Sequence, residues 1–422
     1  MQVMAHLMSS TSSVPDFVPR LPEPTGGRFI LWIVLLGVLT AVAPLSIDMY
    51  LPSFVQVEQD LRAPAGSMEW TLSSFFIGLT LGQLIYGPVS DRFGRKLPLY
   101  VGFSLYTLAS VGCALADNIT TLWVCRFLQG MGGCAGLVIP SAIVRDRMGP
   151  SQSARIFSLL MLVMGLAPIL APLVGGWLLQ WWGWRAIFGV LVLFGLICLL
   201  GLGLGLEESH DTTHEPPLQW RTVARNYADL WRDRSFMGFV LSAGLIRAGM
   251  FAYIAGSPFV LMQLYGISPQ NYGWFFGANA FGLIAASQLN AYWLKTVPAS
   301  TLLRRALWLP VLAGLALAVL ALAGWMSLPW FVLGCFVFMT SVGVIGPNAS
   351  ACALASQGRR AGTAAAFNGA SAFLLATVAG ALVGGLHNGS SQPLAVVMAV
   401  CGLGAWCCYR VLCPSGPSAV KA

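Results

Sequence analysis

Residues Gly82–Lys96 read GQLIYGPVSDRFGRK. An apolar run ends in this stretch, the charges Asp91, Arg92, Arg95 and Lys96 crowd together, and a second apolar run starts at once. That order describes two helices joined by a turn so tight that glycine is needed for close approach, with the charges left at the rim of an apolar layer. The same alternation of long apolar run and short charged turn extends along the chain on both sides. Of 422 residues, 57% are hydrophobic and only 9% are charged. Apolar runs of about 20 residues at that composition lie outside the range of soluble domains and specify a polytopic helical membrane protein.

Twelve spans are predicted, at roughly 28–53, 69–90, 97–116, 119–144, 154–180, 184–206, 236–264, 271–294, 302–325, 328–354, 361–386 and 393–412. The longest internal polar stretch, Glu207–Arg234, divides them six and six, as two parallel six-helix repeats with a substrate site between them near the midplane would be divided. The predicted organisation is all-α. A tail over 1–27, rich in Ser, Pro and Thr, is expected to be disordered. An N-terminal six-helix bundle over 28–206, a linker over 207–234, a C-terminal bundle over 235–413 and a short tail over 414–422 follow. With both termini placed in the cytoplasm, only Arg62 and Arg185 of the 23 Lys and Arg fall on the outer side, and Arg126 and Arg247 lie inside spans. The other 19 are cytoplasmic, a strong positive-inside signal.

A net charge of +8 therefore reports topology rather than a nucleic-acid partner. Seven of ten cysteines sit in apolar runs without paired metal-ligand spacing, as small core residues do. The four histidines fall in tails or loops, which excludes an embedded histidine relay, and no cofactor or metal is expected. There is no Walker A stretch, no H-E-x-x-H and no pair of intramembrane carboxylates, so the chain does not read as an enzyme. A proton gradient is the natural energy source: one charge crossing 100 mV supplies about 2.3 kcal/mol, enough for a roughly fifty-fold gradient of a neutral solute.

One carboxylate falls well inside a span: Asp48, in PLSIDMYLPSF (Pro44–Phe54), with Tyr50 two residues on. An intramembrane Asp is costly and marks a functional site, as a rule with a partner. Asp48 lies roughly 30 Å beyond Arg28 along an outward-running helix, and Arg126 about 10 Å below the outer end of span 4, so their depths agree. Arg247, about a dozen residues into span 7, is the other expensive charge. It is read as a second partner for Asp48, a substrate contact or a snorkelling side chain.

The order G-x-x-x-D-R-x-G-R-K at Gly87–Lys96 resembles the signature of the major facilitator superfamily. RFLQGMGGCAG in span 4, with Arg126 and Gln129, and APILAPLVGGW in span 5, with Pro172, Gly175 and Gly176, resemble motifs of that superfamily's drug:proton antiporters. Ala171 stands where the span 5 motif has its first glycine. With SIDMYLP, GWRAIF and GMFAYIAGSPFVL, the whole set is similar to the Bcr/CflA branch. The resemblance implies the twelve-helix fold of that superfamily, working as a monomer, with helices 1 and 4 lining a central cavity and Asp48 and Arg126 as a proton-coupling pair. Asp48 as a merely structural partner of Arg126, or as an outer-interface residue near Pro52, is the competing reading. The resemblance also implies gating by Asp91, Arg92, Gly94, Arg95 and Asp146, with Asp91 facing the start of helix 11 and Arg95 paired to Asp146.

A polar wall of Tyr50, Gln83, Tyr86, Gln129, Tyr253, Asn279, Asn348 and Asn368 with Arg247, and the aromatics Phe75, Phe76, Phe251 and Phe276, is the expected amphiphilic pocket. The function expected is proton-coupled efflux of small phenicol- or bicyclomycin-like drugs across the bacterial inner membrane. Proton-coupled uptake of a small metabolite is the alternative. Substrate, protons and the lipid bilayer are the partners implied.

Overall fold

The computed structural model of the chain describes residues 26–210 and 220–413. Nearly all of the two expected tails and the middle of the linker lie outside the described residues. All regular elements among the described residues are helical. The first span comprises α1 (Gly26–Thr40), α2 (Val42–Asp48), a 3-10 turn at Leu51–Ser53 and α3 (Phe54–Asp60). Then follow α4 (Ser67–Phe93), α5 (Lys96–Ala114), α6 (Ile119–Arg147), α7 (Pro150–Trp182) and α8 (Trp184–Gly205). Beyond them lie α9 (Trp220–Arg232), α10 (Arg234–Pro258), continued by a π turn at Phe259–Leu264, and α11 (Pro269–Trp293). The last are α12 (Ala299–Ala306), α13 (Trp308–Leu322), α14 (Leu328–Ala355), α15 (Ala361–Gly385) and α16 (Gln392–Leu412).

By length and composition, ten helical stretches of the described residues can each cross a membrane, and the bent pair at the start makes eleven. The remaining expected span, 271–294, is present as α11 over 25 residues, but Gln270, Asn271, Asn279, Gln288 and Asn290 leave it less apolar than the rest. The chain is thus a multi-pass membrane protein. Span 1, expected as one helix, is broken by its prolines. Pro44 has no N–H to offer the Thr40 carbonyl, the Thr40 hydroxyl turns back onto the Gly37 carbonyl at 2.8 Å, and the two parts meet at 40°. The linker, expected only as a polar connection, also carries a helix, α9.

Helices before the linker pack mainly on one another (α4 and α5 on α6, α5 on α8, the broken first span on α7), and those after it do the same (α10 on α14, α15 and α16, α11 on α14, α13 on α16). A tight crossing joins α4 to α6. A Cβ on Gly78 would lie 2.2 Å from the Phe127 carbonyl oxygen, and one on Gly130 would lie 2.2 Å from that of Phe75. Backbones meet there with no side chain between them.

The two groups join along two seams, α4 with α15 and α7 with α11. The first runs from Gly66 against the Gly384 carbonyl, past Ser73 and Gly380, to Gln83 against Gly369. The second runs from a Gln270–Gln180 hydrogen bond of 3.3 Å, past Gly176 and Pro269, to Gly165 against Ile284. Both begin at the end away from the charged Gly94 turn and stop turns short of it. Among the described residues, the cross-seam hydrogen bonds, Gln270–Gln180 and Gln263–Glu58 at 3.3 Å, lie at that same far end. The halves are therefore closed at the far end and parted at the charged end.

Gly130→Ala should force α4 and α6 apart and lower stability by about 1–3 kcal/mol. Gly87→Ala, whose Cβ meets nothing within 4 Å, should leave it unchanged. Thermal unfolding of the two purified variants against the wild type checks both.

Candidate functional site

Arg126 on α6 has no exposed surface. A guanidinium in that position must find acceptors or π faces, and it finds both. One terminal nitrogen donates to the Ser46 carbonyl (3.0 Å) and to Gln129 Oε1 (2.6 Å). The plane lies over the rings of Phe75 (4.4 Å) and Tyr50 (5.0 Å). Gln129 donates in turn to Ser110 Oγ (2.8 Å), and Ser110 to the Tyr106 carbonyl (2.7 Å). The Tyr106 hydroxyl shares a 2.8 Å hydrogen bond with Ser46 Oγ. This closed circuit ties α2, α5 and α6 together. Arg126 Nε and its second terminal nitrogen are left without a partner.

Asp48 does not join that circuit. It is 4% exposed, and among the described residues no hydrogen bond or ion pair reaches its carboxylate, so the expected Asp48–Arg126 pair is not formed. The reason is azimuthal: Ser46 faces α5 and α6, and a residue two further on points about 200° around the helix. Asp48 lies instead within electrostatic reach of Tyr272 on α11, across the seam. Arg126 reaches the carbonyl of Ser46, two residues before Asp48, but not the Asp48 side chain.

The paired glycines of α7 sit between these parts. A Cβ on Gly175 would lie 2.1 Å from the Met49 carbonyl oxygen, next to Asp48, and one on Gly176 would lie 3.0 Å from that of Pro269 at the start of α11. One glycine thus seats the broken first span and the next seats the opposite half. Pro172 lies one turn earlier in the same unbroken helix.

Toward the middle, Phe76 of α4 meets Phe251 of α10 at 4.6 Å and Phe373 of α15 at 6.3 Å between centroids. The three rings plug the join between the halves. One to two turns toward the charged end, about 6–10 Å by helical rise, lies a polar layer. Arg247 donates to Ser350 Oγ at 3.3 Å, and Asn368 donates to the same oxygen at 3.1 Å. Gln83 lies against Gly369 beside them. Arg247, Asn368 and Gln83 are thus brought together. The sequence reading did not single out Ser350 or Phe373, because one serine or phenylalanine in an apolar helix carries no signal of its own.

The other wall residues are used within one half. Asn279 donates to the Tyr253 hydroxyl at 2.8 Å, with Phe276 stacked on Tyr253. Asn348 donates to Asn290 Oδ1 at 2.6 Å, joining α14 to α11. Tyr86 turns toward Gly102 on α5. Another residue went unrecognised at the far end: Glu69, expected at a span end, is 3% exposed. It lines a recess with Glu58, Gln263 and His387.

At the charged end Arg95 donates to Asp146 (2.8 Å), Ser90 (2.9 Å) and Asp91. The expected Arg95–Asp146 pair is present. Asp91 is not set against the start of α15. Its side chain is 63% exposed and is held by Arg95, because the halves are parted at this level; Arg92 takes no part. A clamp that the sequence reading missed completes the rim. Glu208, just past α8, accepts from the backbone N–H of Arg95 (2.8 Å) and Lys96 (3.0 Å), as well as from Ser209 and His210. Burial alone would raise the Glu208 carboxyl, but these donors outweigh it and hold it below its ordinary value. Gly94, at φ +85°, makes the clamp fit: a Cβ there would lie 2.6 Å from a Glu208 oxygen.

The family model of the Major Facilitator Superfamily matches residues 36–381. An "Uncharacterized MFS-type transporter YdgK" of Bacillus subtilis is 38% identical over 90% of this chain and 94% of its own length. A "Bicyclomycin resistance protein homolog" of Haemophilus influenzae is 32% identical over 88% of this chain and 93% of its own. Among solved structures, a D-xylose-proton symporter superposes with a TM-score of 0.66 at 18% identity, over 91% of this chain and 98% of that one, a likeness of fold.

Two outcomes test this geometry. The Glu208 contribution is full above the ordinary glutamate range and lost as pH falls through the held-down folded value. Glu208→Gln should therefore unfold at a lower temperature than the wild type at neutral pH, and the gap should close on acidification below that range. Gly175→Ala, which sets a methyl against the Met49 carbonyl, should cost about 1–3 kcal/mol of stability, and thermal unfolding of the purified variant measures it.

Proposed function

We propose that this chain, which belongs to the Major Facilitator Superfamily and is a transporter rather than an enzyme, exports small amphiphilic drugs from the cytoplasm in exchange for protons. The observation that carries the reading is Asp48: a buried carboxylate that no hydrogen bond or ion pair reaches among the described residues, next to the α7 glycines. A lone carboxylate is expensive to keep charged in an apolar interior. A proton and Arg126 are the two means of settling it. In the state closed at the far end, Asp48 carries the proton it took from outside, and Arg126 is held by the Ser46 carbonyl and Gln129.

Drug enters from the parted, charged end into the layer of Arg247, Ser350, Asn368 and Gln83, below the Phe76–Phe251–Phe373 plug. Loss of the Asp48 proton then leaves two unmatched charges, and turning α2 about its break at Thr40 and Ala41 brings Asp48 to the free nitrogens of Arg126. That rotation moves Met49 against Gly175 and loosens the far-end seam. The lysine and arginine bias supports a cytoplasmic charged end, and the resistance protein among the relatives supports a drug as cargo. Nine other carboxylates among the described residues lie near the rims and loops and lack this setting; of the described carboxylates Glu69 alone is comparably buried, and it sits at the far-end closure.

In everted membrane vesicles energised with a proton gradient, phenicol- or bicyclomycin-like compounds should release protons through the wild type. Asp48→Asn should bind the same compound and release none. Equal release by both would place the coupling elsewhere. Substrate accumulation driven with the proton, rather than against it, would make the protein an uptake symporter.

A further inference from the structure

Helix α9 has a second face that the transport reading does not use. Its docked side is short: Leu230 is 1% exposed and packs with Phe236, Met237 and Ala364, and Tyr227 meets Phe367 at 6.1 Å. Asp229, the lone acidic residue of the helix, pairs with Arg360 at the foot of α15 (3.6 Å). The opposite arc is exposed. On a wheel of 100° per residue, Arg221, Arg225 and Arg232 fall within about 40° of one another, and Ala224, Ala228 and Trp231 continue the same arc. All six are exposed, Trp231 at 65%. Among the described residues the three arginines bond to no carboxylate.

The arc borders the docked side at Trp231, whose ring meets Phe367 of α15 edge-on at 6.2 Å between centroids. Arginine row, small apolar strip and tryptophan, in that order around one helix, match the chemistry of a headgroup layer: anionic outside, amphipathic at its boundary. We propose that α9 is a docking surface for anionic phospholipid headgroups of the cytoplasmic leaflet, with Arg221, Arg225 and Arg232 on the phosphates and Trp231 anchored at the boundary. The Asp229–Arg360 pair ties the lipid-held helix to the start of α15, which lines one seam. The inference rests on the cytoplasmic placement of the charged end, but not on the identity of the cargo.

The test titrates the full-length protein in detergent with phosphatidylglycerol or phosphatidylcholine and reads bound lipid by native mass spectrometry. The wild type should prefer phosphatidylglycerol, and R221Q/R225Q/R232Q should lose that preference by on the order of a hundredfold. R304Q/R305Q on α12 should keep it. The wild type alone also decides, because a headgroup site of this kind weakens with added salt. A wild type without preference, a preference untouched by salt, or a triple variant that binds as the wild type does overturns the proposal. The readout is lipid binding, so failure of drug export would leave it standing, and loss of the lipid preference would leave the export reading standing.

Discussion

A guanidinium sealed inside an apolar bundle is the constraint on which this structure depends. Arg126 cannot shed its charge, so the fold must surround it with acceptors and π faces. Meeting that demand ties α2 to α6 through the Ser46 carbonyl and α6 to α5 through Gln129 and Ser110, and places Phe75 under the cation. Because Phe76 is the next residue, the helix that cages Arg126 also supplies the ring that plugs the join between the halves. The satisfaction is incomplete, with two donors unmatched. Nearby, one buried acid is equally unmatched. In the proposed cycle this arrangement lasts only while Asp48 carries its proton.

The moving part of the proposed cycle is built from backbone chemistry rather than from side-chain contacts. Pro44 interrupts the first span between α1 and α2, and Gly175 lets the Met49 carbonyl rest against α7. Gly176, one residue on, faces the other half. In that proposed cycle a shift of α2 is thereby passed within two residues to the seam that closes the far end. At the charged end the Arg95–Asp146 pair and the Glu208 clamp keep the rim of the first half rigid while the halves part there.

Most of the architecture was legible in the sequence because the bilayer imposes length and hydropathy on every span. The exceptions have physical causes. Span 1 was read as unbroken because hydropathy does not register a proline kink, and α9 was missed because an amphipathic helix at an interface has low mean hydropathy. In the site, residue types with a high desolvation cost, Asp48, Arg126 and Arg247, stood out at once. Their partners did not, since Ser46, Tyr106, Ser110 and Ser350 look ordinary in apolar runs. The Asp48–Arg126 pairing failed because depth follows from counting residues, whereas facing depends on where a helix is broken and what it packs against.

The central claim is that the protonation state of Asp48 selects which end of the molecule is closed. Spin labels at Phe93 and Ser356, both exposed at the charged end, on a cysteine-depleted background would report that opening as a distance distribution over a range of pH. The account predicts that acidification populates the long distance in the wild type and that Asp48→Asn shows the long distance at every pH. A distribution that ignores pH in the wild type, or one that still responds to pH in Asp48→Asn, would contradict it.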